Sequence, residues 1–264
     1  MRLYRCYQVI SIFLPFKETS LKKSFSLILF ISIVLNTLVL SAQTAVPKIY
    51  LIHGQGSDSR LFSKLKLNNR FDTVCIHLPI PDKDDDMQSY ARTIIPKIDT
   101  LQDFILIGVS LGGMVASELN ELIHPKQTII ISSAKNRNEL PKRYKFMRAI
   151  PLYKLFPAGF IKCSSFMMQP LVEPDRKKEK ALFKSMLKKK EKQFLKRTIP
   201  LIVNWKRKDN AGKTILHLHG TKDHTIPIRN IQSPIVINKG SHMMVLTQAE
   251  LIAEKINEIL EKIE

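Results

Sequence analysis

The chain has 264 residues, 44% of them hydrophobic, enough apolar material for one sizeable core, which excludes disorder as its resting state. Its net charge of +19 is concentrated, because residues 135–213 carry 23 Lys and Arg against 6 Asp and Glu. The basic character therefore belongs to one segment, and the composition argues against a uniformly basic nucleic-acid-binding protein.

In chain order, Lys22-Lys23 precede a 17-residue run, Ser24 to Leu40, followed by Ser41-Ala42-Gln43. A charged start, an apolar stretch and a small-residue cleavage site after Ala42 describe an export signal. The same run is close to the ~20 residues of a membrane span, so an uncleaved anchor is the alternative. The expected location is outside the cytoplasm, periplasmic or secreted, or anchored to the membrane by residues 24–40. Residues 1–42 are thus set apart from the fold.

From residue 47, strand-type and helical patterns alternate. "KIYLIHG" (48–54) and "FDTVCIHLP" (71–79) read as strands, with a helix over 57–66 capped by Ser57 or Asp58. Cys75 lies in an apolar run and reads as a buried free thiol. Asp84-Asp85-Asp86 precede a helix over 87–99 that Pro96 should kink or end. "DFILIG" (103–108) and "QTIIISS" (127–133) are the continuous apolar runs of strands buried on both faces. The helix between them places Leu111, Met114, Val115, Leu119 and Leu122 on one face. "KTILHLHG" (213–220) and "PIVIN" (234–238) complete the strands, and the closing helix, 247–263, is expected to open with a capping box, Thr247 with Glu250. This alternation predicts an α/β fold with a mostly parallel sheet and helices on both faces, its functional site at the carboxyl ends of the strands. Residues 43–134 and 213–264 form the two parts of that core. Residues 135–212, rich in proline, aromatics and positive charge, interrupt it as a basic helical cap.

Several chemically capable residues fall at strand ends. In "FILIGVSLGGM", Ser110 stands between Gly108 and Gly112 where a strand gives way to a helix. A hydroxyl needs a base and a stabilised oxyanion to become a useful nucleophile. A tight strand–helix turn helps with both, because it presents the serine at a helix N-terminus with free N–H groups. Leu111 N–H is one candidate oxyanion donor, and Gln55 N–H, in "HGQG", is the second. His242, in "NKGSHMM", follows the last strand and is the candidate base; Asp223, in "HGTKDHTIP", is the acid to orient it. His224, beside that acid, is the rival base. His53 is expected to brace the oxyanion loop, and His217 and His219 read as core or edge residues. Neither a CxxC pair nor a His-rich metal spacing occurs, so no cofactor or metal is expected.

With "HGQG", "GVSLGG", "HGTKDHTIP" and "GSH" in this order, the stretch from about Lys48 to the C-terminus resembles the α/β-hydrolase superfamily. The resemblance implies a nucleophile elbow at Ser110, an oxyanion loop at Gln55, and an acid and base at Asp223 and His242. There is no room for two further strands before Lys48, which implies a minimal six-stranded sheet. No Asp follows the strand ending at Ser133, the alternative acid position of some relatives. Epoxide- and halide-cleaving enzymes of this fold carry Asp where this chain has Ser110, so the resemblance favours acyl transfer to water from esters, thioesters or lipid acyl bonds. Peptide and C–C bond hydrolysis use the same machinery and stay open.

Residues 176–197 put Phe183, Met186, Leu187 and Phe194 on one side of a helix capped by Asp175, with lysines on the other. The simplest reading is a cap helix with a solvated basic face; attraction to an anionic membrane surface is the next. Nucleic acid is not an expected partner. Two functions follow. One is an exported serine hydrolase acting on a small-molecule acyl substrate. The other is a non-catalytic protein of the same fold whose basic cap docks on a membrane or partner.

Overall fold

The computed structural model describes residues 26–34, 46–172, 179–209 and 214–263. The chain divides into two units, residues 1–45 and 46–264. In the first, residues 26–34 form a helix, α1, whose apolar side chains are exposed. Among the described residues no helix is long and apolar enough to cross a membrane.

The second unit is built on six parallel strands: β1 (Lys48–Ile52), β2 (Asp72–Ile76), β3 (Phe104–Val109), β4 (Gln127–Ile131), β5 (Ile215–Gly220) and β6 (Ile235–Ile237). Their order in the sheet is β2-β1-β3-β4-β5-β6. Every residue of β3 is buried, as a central strand covered on both faces must be. Alternate residues serve the two faces. Tyr50, Ile52, Leu106 and Ile130 join a core with α2 (Met87–Arg92) and α3 (Leu111–Leu122), while Ile49, Leu51, Ile105 and Ile129 join another with α9 (Ala249–Leu260). This is the expected six-stranded α/β sheet with helices on both sides.

Local differences from the sequence reading have physical causes. The segment 57–66 makes only a short 3-10 turn, Ser59–Phe62, because Leu61 and Phe62 are the two side chains it buries. Asp58 caps it, accepting from the Arg60 amide at 3.1 Å. Helix α2 stops at Arg92, ahead of Pro96, which sits instead in a second 3-10 turn. Asp86 caps α2 in a closed box with Ser89. Helix α3 is buried on all sides through Asn120, not on one face. Trp205 covers its outer side and donates to the buried Glu118 carboxylate at 2.7 Å. The expected Thr247–Glu250 capping box does not form. Met244–Thr247 is a separate short helix, α8, and the Thr247 hydroxyl faces the Met243 carbonyl, 3.4 Å away. Cys75 is exposed, because β2 is an edge strand.

Among its described residues the basic segment carries four α-helices, α4 (Lys142–Ala149), α5 (Ala158–Val172), α6 (Lys180–Lys189) and α7 (Lys192–Val203). The single helix expected over 176–197 is two, α6 and α7, parted at Lys190 and Glu191, which have extended ψ angles. Asp175, its expected cap, lies outside the described residues. Phe183, Met186, Leu187, Phe194 and Leu195 are all buried in the two cores. The apolar side of this basic pair is thus spent on packing, and only its lysine side meets solvent.

Candidate active site

The connections leaving β1, β3, β5 and β6 converge at the carboxyl edge of the sheet. After β3 the chain turns abruptly into α3 at Ser110, whose backbone has φ 55° and ψ −121°. L-residues avoid this region, at a cost of about 1–3 kcal/mol. The turn is possible because its neighbours lack side chains. A Cβ on Gly112 would stand 2.1 Å from the Ile52 carbonyl oxygen, and one on Gly108 would stand 2.4 Å from the Gly112 oxygen. Ser133 ties the elbow down by donating to the Ser110 carbonyl at 2.7 Å. Ser110 is the N-cap of α3 by position, yet its hydroxyl makes no capping bond. It is directed elsewhere.

That hydroxyl lies 2.9 Å from Nε2 of His242, and Nδ1 of His242 lies 2.8 Å from Oδ2 of Asp223. With Nδ1–H donating to the carboxylate, Nε2 presents a lone pair to the serine O–H. The other carboxylate oxygen of Asp223 accepts from the Thr225 and Ile226 amides, each at 2.8 Å. Burial alone would raise the Asp223 carboxyl. The charge and hydrogen bond of His242, with the Ile226 amide, outweigh it and hold the group below the usual carboxylate range. Asp223 therefore stays ionised beside the imidazole.

The two loops that carry these residues are fastened by backbone. The Lys222 amide donates to the Gly240 carbonyl at 2.8 Å and the Thr221 amide to Ile237 at 3.0 Å. Gly220 and Gly240 pass so closely that a Cβ on Gly220 would fall 2.1 Å from the Gly240 oxygen.

The loop after β1, the candidate oxyanion loop, is also fixed. His53 Nδ1 pairs with the Gly54 carbonyl at 2.9 Å, the Gly54 amide donates to Ser57 Oγ at 3.1 Å, and Gln55 Nε2 donates to Thr198 Oγ1 of α7 at 2.7 Å. His53, expected to brace this loop, bonds within it to the carbonyl of the next residue. Leu111, as the first residue of α3, has an amide with no carbonyl one turn back to engage it. Gln55 and Ser110 line one cavity of about 580 Å³. Most of its wall is apolar, from cap side chains such as Phe156, Phe160, Ile161 and Met168 and from Leu187 and Ile199.

The rival base, His224, is exposed and lines this cavity, but Ser110 Oγ is engaged by His242. A feature beyond the sequence reading lies behind Asp223. His219 Nε2 donates to the Ile226 carbonyl at 2.7 Å and lies 3.5 Å from Asp223 Oδ2. Its Nδ1 meets His217 Nε2 at 2.9 Å, and His217 in turn faces the buried Glu139, 4.0 Å away. The alternating inward positions 217 and 219 of a buried strand were the available signal; Glu139, nearly eighty residues away, offered none. Among the described residues no group of three His, Cys, Asp or Glu is placed to hold a metal ion.

The profile of the alpha/beta hydrolase family matches residues 49–255. This chain belongs to the alpha/beta hydrolase family. Its place there makes it an enzyme of the hydrolase class. Three solved structures of the same fold are similar over most of their length. The thermophilic esterase from Thermogutta terrifontis is 18% identical, with a TM-score of 0.59 and coverage of 82% of this chain and 90% of that one. The enol-lactonase from Burkholderia xenovorans LB400 is 12% identical, at a TM-score of 0.64 and 83% and 93% coverage. The esterase from Exiguobacterium antarcticum is 16% identical, at 0.58, 82% and 92%. At these identities the likeness is one of fold. No curated protein sequence matches this alpha/beta hydrolase significantly.

Proposed function

We propose that this alpha/beta hydrolase cleaves carboxylic esters of apolar acyl groups through an acyl-enzyme on Ser110. The observation that carries this reading is the 2.9 Å approach of His242 Nε2 to Ser110 Oγ beside a predominantly apolar cavity of about 580 Å³. Ser110 Oγ attacks the ester carbonyl as His242 takes its proton, and Asp223 stabilises the imidazolium that forms. The amides of Leu111 and Gln55 receive the oxyanion. The departing alcohol takes the proton from His242. Water then attacks the acyl-serine by the same steps in reverse, freeing the carboxylic acid and the Ser110 hydroxyl. The two esterases and the lactonase among the similar structures agree with this reaction type.

We also place the protein outside the cytoplasm, on the strength of Lys22-Lys23 and the apolar run to Leu40. Mass determination of the protein recovered from cells, read for loss of residues 1–42, tests this separately.

The test of the chemistry is a nitrophenyl ester series of increasing acyl length, beside labelling with a fluorophosphonate. Burying a methylene contributes about 0.8 kcal/mol, so kcat/KM should rise roughly fourfold per CH2 while the chain still finds apolar wall. Labelling should fall on Ser110 and vanish in Ser110→Ala. Folded protein that neither labels nor hydrolyses any ester of the series defeats the proposal.

A further inference from the structure

The cap leaves one of its surfaces uncovered. Among the described residues of 46–264, eight of the twelve exposed large apolar side chains fall between Phe146 and Met168. The other four, Val46, Leu101, Val236 and Leu251, are scattered along the chain, as single surface apolar residues commonly are. Phe146 is 59% exposed, Leu152 54%, Leu155 78% and Met167 74%. None of these four lines the Ser110 cavity. On α5 the exposed residues Phe160, Cys163, Met167 and Pro170 recur at helical spacing, so they form one outward stripe. Ile161 and Phe166, on the same helix, pack into the core instead. Contiguous exposure of this kind marks an interaction surface.

Charge identifies what would cover it. Residues 142–172 contain six Lys and Arg and no Asp or Glu. Lys142, Lys145, Arg148 and Lys154 alternate with the exposed apolar residues, which is the arrangement of an interfacial helix among anionic headgroups. A second copy of the chain would bring the same positive face against this one in a two-fold contact, and like charges would oppose it. The face is also continuous with the cavity mouth. Phe156 and Phe160, stacked with ring centres 4.7 Å apart, are exposed and line the cavity at the same time.

We propose that the outer face of α4, the 152–156 turn and α5 docks on an anionic lipid surface, seating the mouth of the Ser110 cavity at that surface. This assigns membrane contact to residues 146–167 rather than to the lysine-rich pair α6 and α7, whose apolar residues are buried. Docking inserts Phe146, Leu152, Leu155 and Met167 among the acyl chains while the neighbouring cations meet headgroups.

Sedimentation of the full-length protein with phosphatidylcholine vesicles, with and without phosphatidylglycerol, tests the surface without relying on turnover. The variants are Phe146→Ser/Leu152→Ser/Leu155→Ser/Met167→Ser, the smaller Leu155→Ser/Met167→Ser, and Lys142→Glu/Lys145→Glu/Arg148→Glu. The native chain should bind phosphatidylglycerol vesicles at least tenfold more tightly than neutral ones. Each full variant should lose about tenfold or more of that binding, and the double variant a measurable part. Hydrolysis of a short soluble ester should be unchanged, which separates failure of docking from failure of the ester reading. Equal binding by native and serine variants overturns the proposal, because the contact then lies elsewhere, for instance in residues 24–40. Loss in the charge-reversed variant alone overturns it too, since no apolar side chain would then be inserting. A native dimer that the serine variant dissolves, with no vesicle binding, assigns the face to a second copy and overturns it as well.

Discussion

Nε2 of His217 lies 2.9 Å from Nδ1 of His219, with both rings buried, so the histidine beside Asp223 is itself held by a histidine. Because His219 donates from Nε2 to the Ile226 carbonyl, its Nδ1 must accept, and His217 must be the donor. Both rings are neutral in this arrangement. The carboxylate they back is ionised, and the same Ile226 that receives the His219 proton gives its amide to Asp223.

Acid should therefore destabilise the protein before any carboxylate in the active site is lost. Burial lowers His53 from 6.5 to about 4, and it lowers His219 and, further, His217. For each, the unfolded chain binds more protons than the folded one below pH 6.5, so the stability they allow is complete above that pH and declines as pH falls through it. Glu139, raised by burial, acts in the opposite sense from 4.5 upward, but three histidines oppose one carboxyl. The melting temperature should fall between pH 7 and pH 5, less steeply in His53→Asn. A flat profile over that interval contradicts this account.

Ser110→Gly should abolish hydrolysis and raise the melting temperature. Glycine accepts φ 55° without steric cost, and relief of the strain is worth up to about 1–3 kcal/mol, less the backbone entropy that glycine adds to the unfolded chain. Ser110→Ala keeps the strain and should gain nothing comparable. Thermal melts of the two variants side by side decide it.

Gln55 and Thr198 should act as a unit. Removing the side chain in Gln55→Ala leaves its amide in place but unfastens the loop from α7, so we expect kcat to fall roughly tenfold with little change in KM. Thr198→Val should produce a similar loss, and the double variant no further loss. Additive losses in that cycle would mean the 2.7 Å contact does not position the amide.

Gly112→Ala should be far worse than an active-site variant. The added methyl would stand 2.1 Å from a strand carbonyl, with no flexible side chain to yield. We expect loss of several kcal/mol or failure to accumulate as soluble protein. Near-native expression and melting of this variant would contradict the packing described for the elbow.

The parts of the site legible in sequence are those written as local patterns. Residues 104–114 combine an apolar run, a serine between glycines and a helix, so strand, turn and helix constrain one another. Asp223 and His242 were readable because each follows a β-type run late in the chain. The contacts that orient them were not readable in the same way. Thr198 meets Gln55 across 143 positions, and nothing in either neighbourhood signals the other. Helix extents failed where tertiary contacts decided them. Lysine spacing over 176–197 suits one long helix, but Lys190 and Glu191 take extended ψ angles where α6 gives way to α7, and nothing in the local spacing marks that break.

Gly220 and Gly240 bring the loops of Asp223 and His242 together through main-chain atoms, with no side chain between them. Alignment of Asp223 with His242 is thus largely indifferent to the identities of the cap residues above. A different roof would change what can reach Ser110, while the Ser110–His242–Asp223 contacts beneath would keep their geometry.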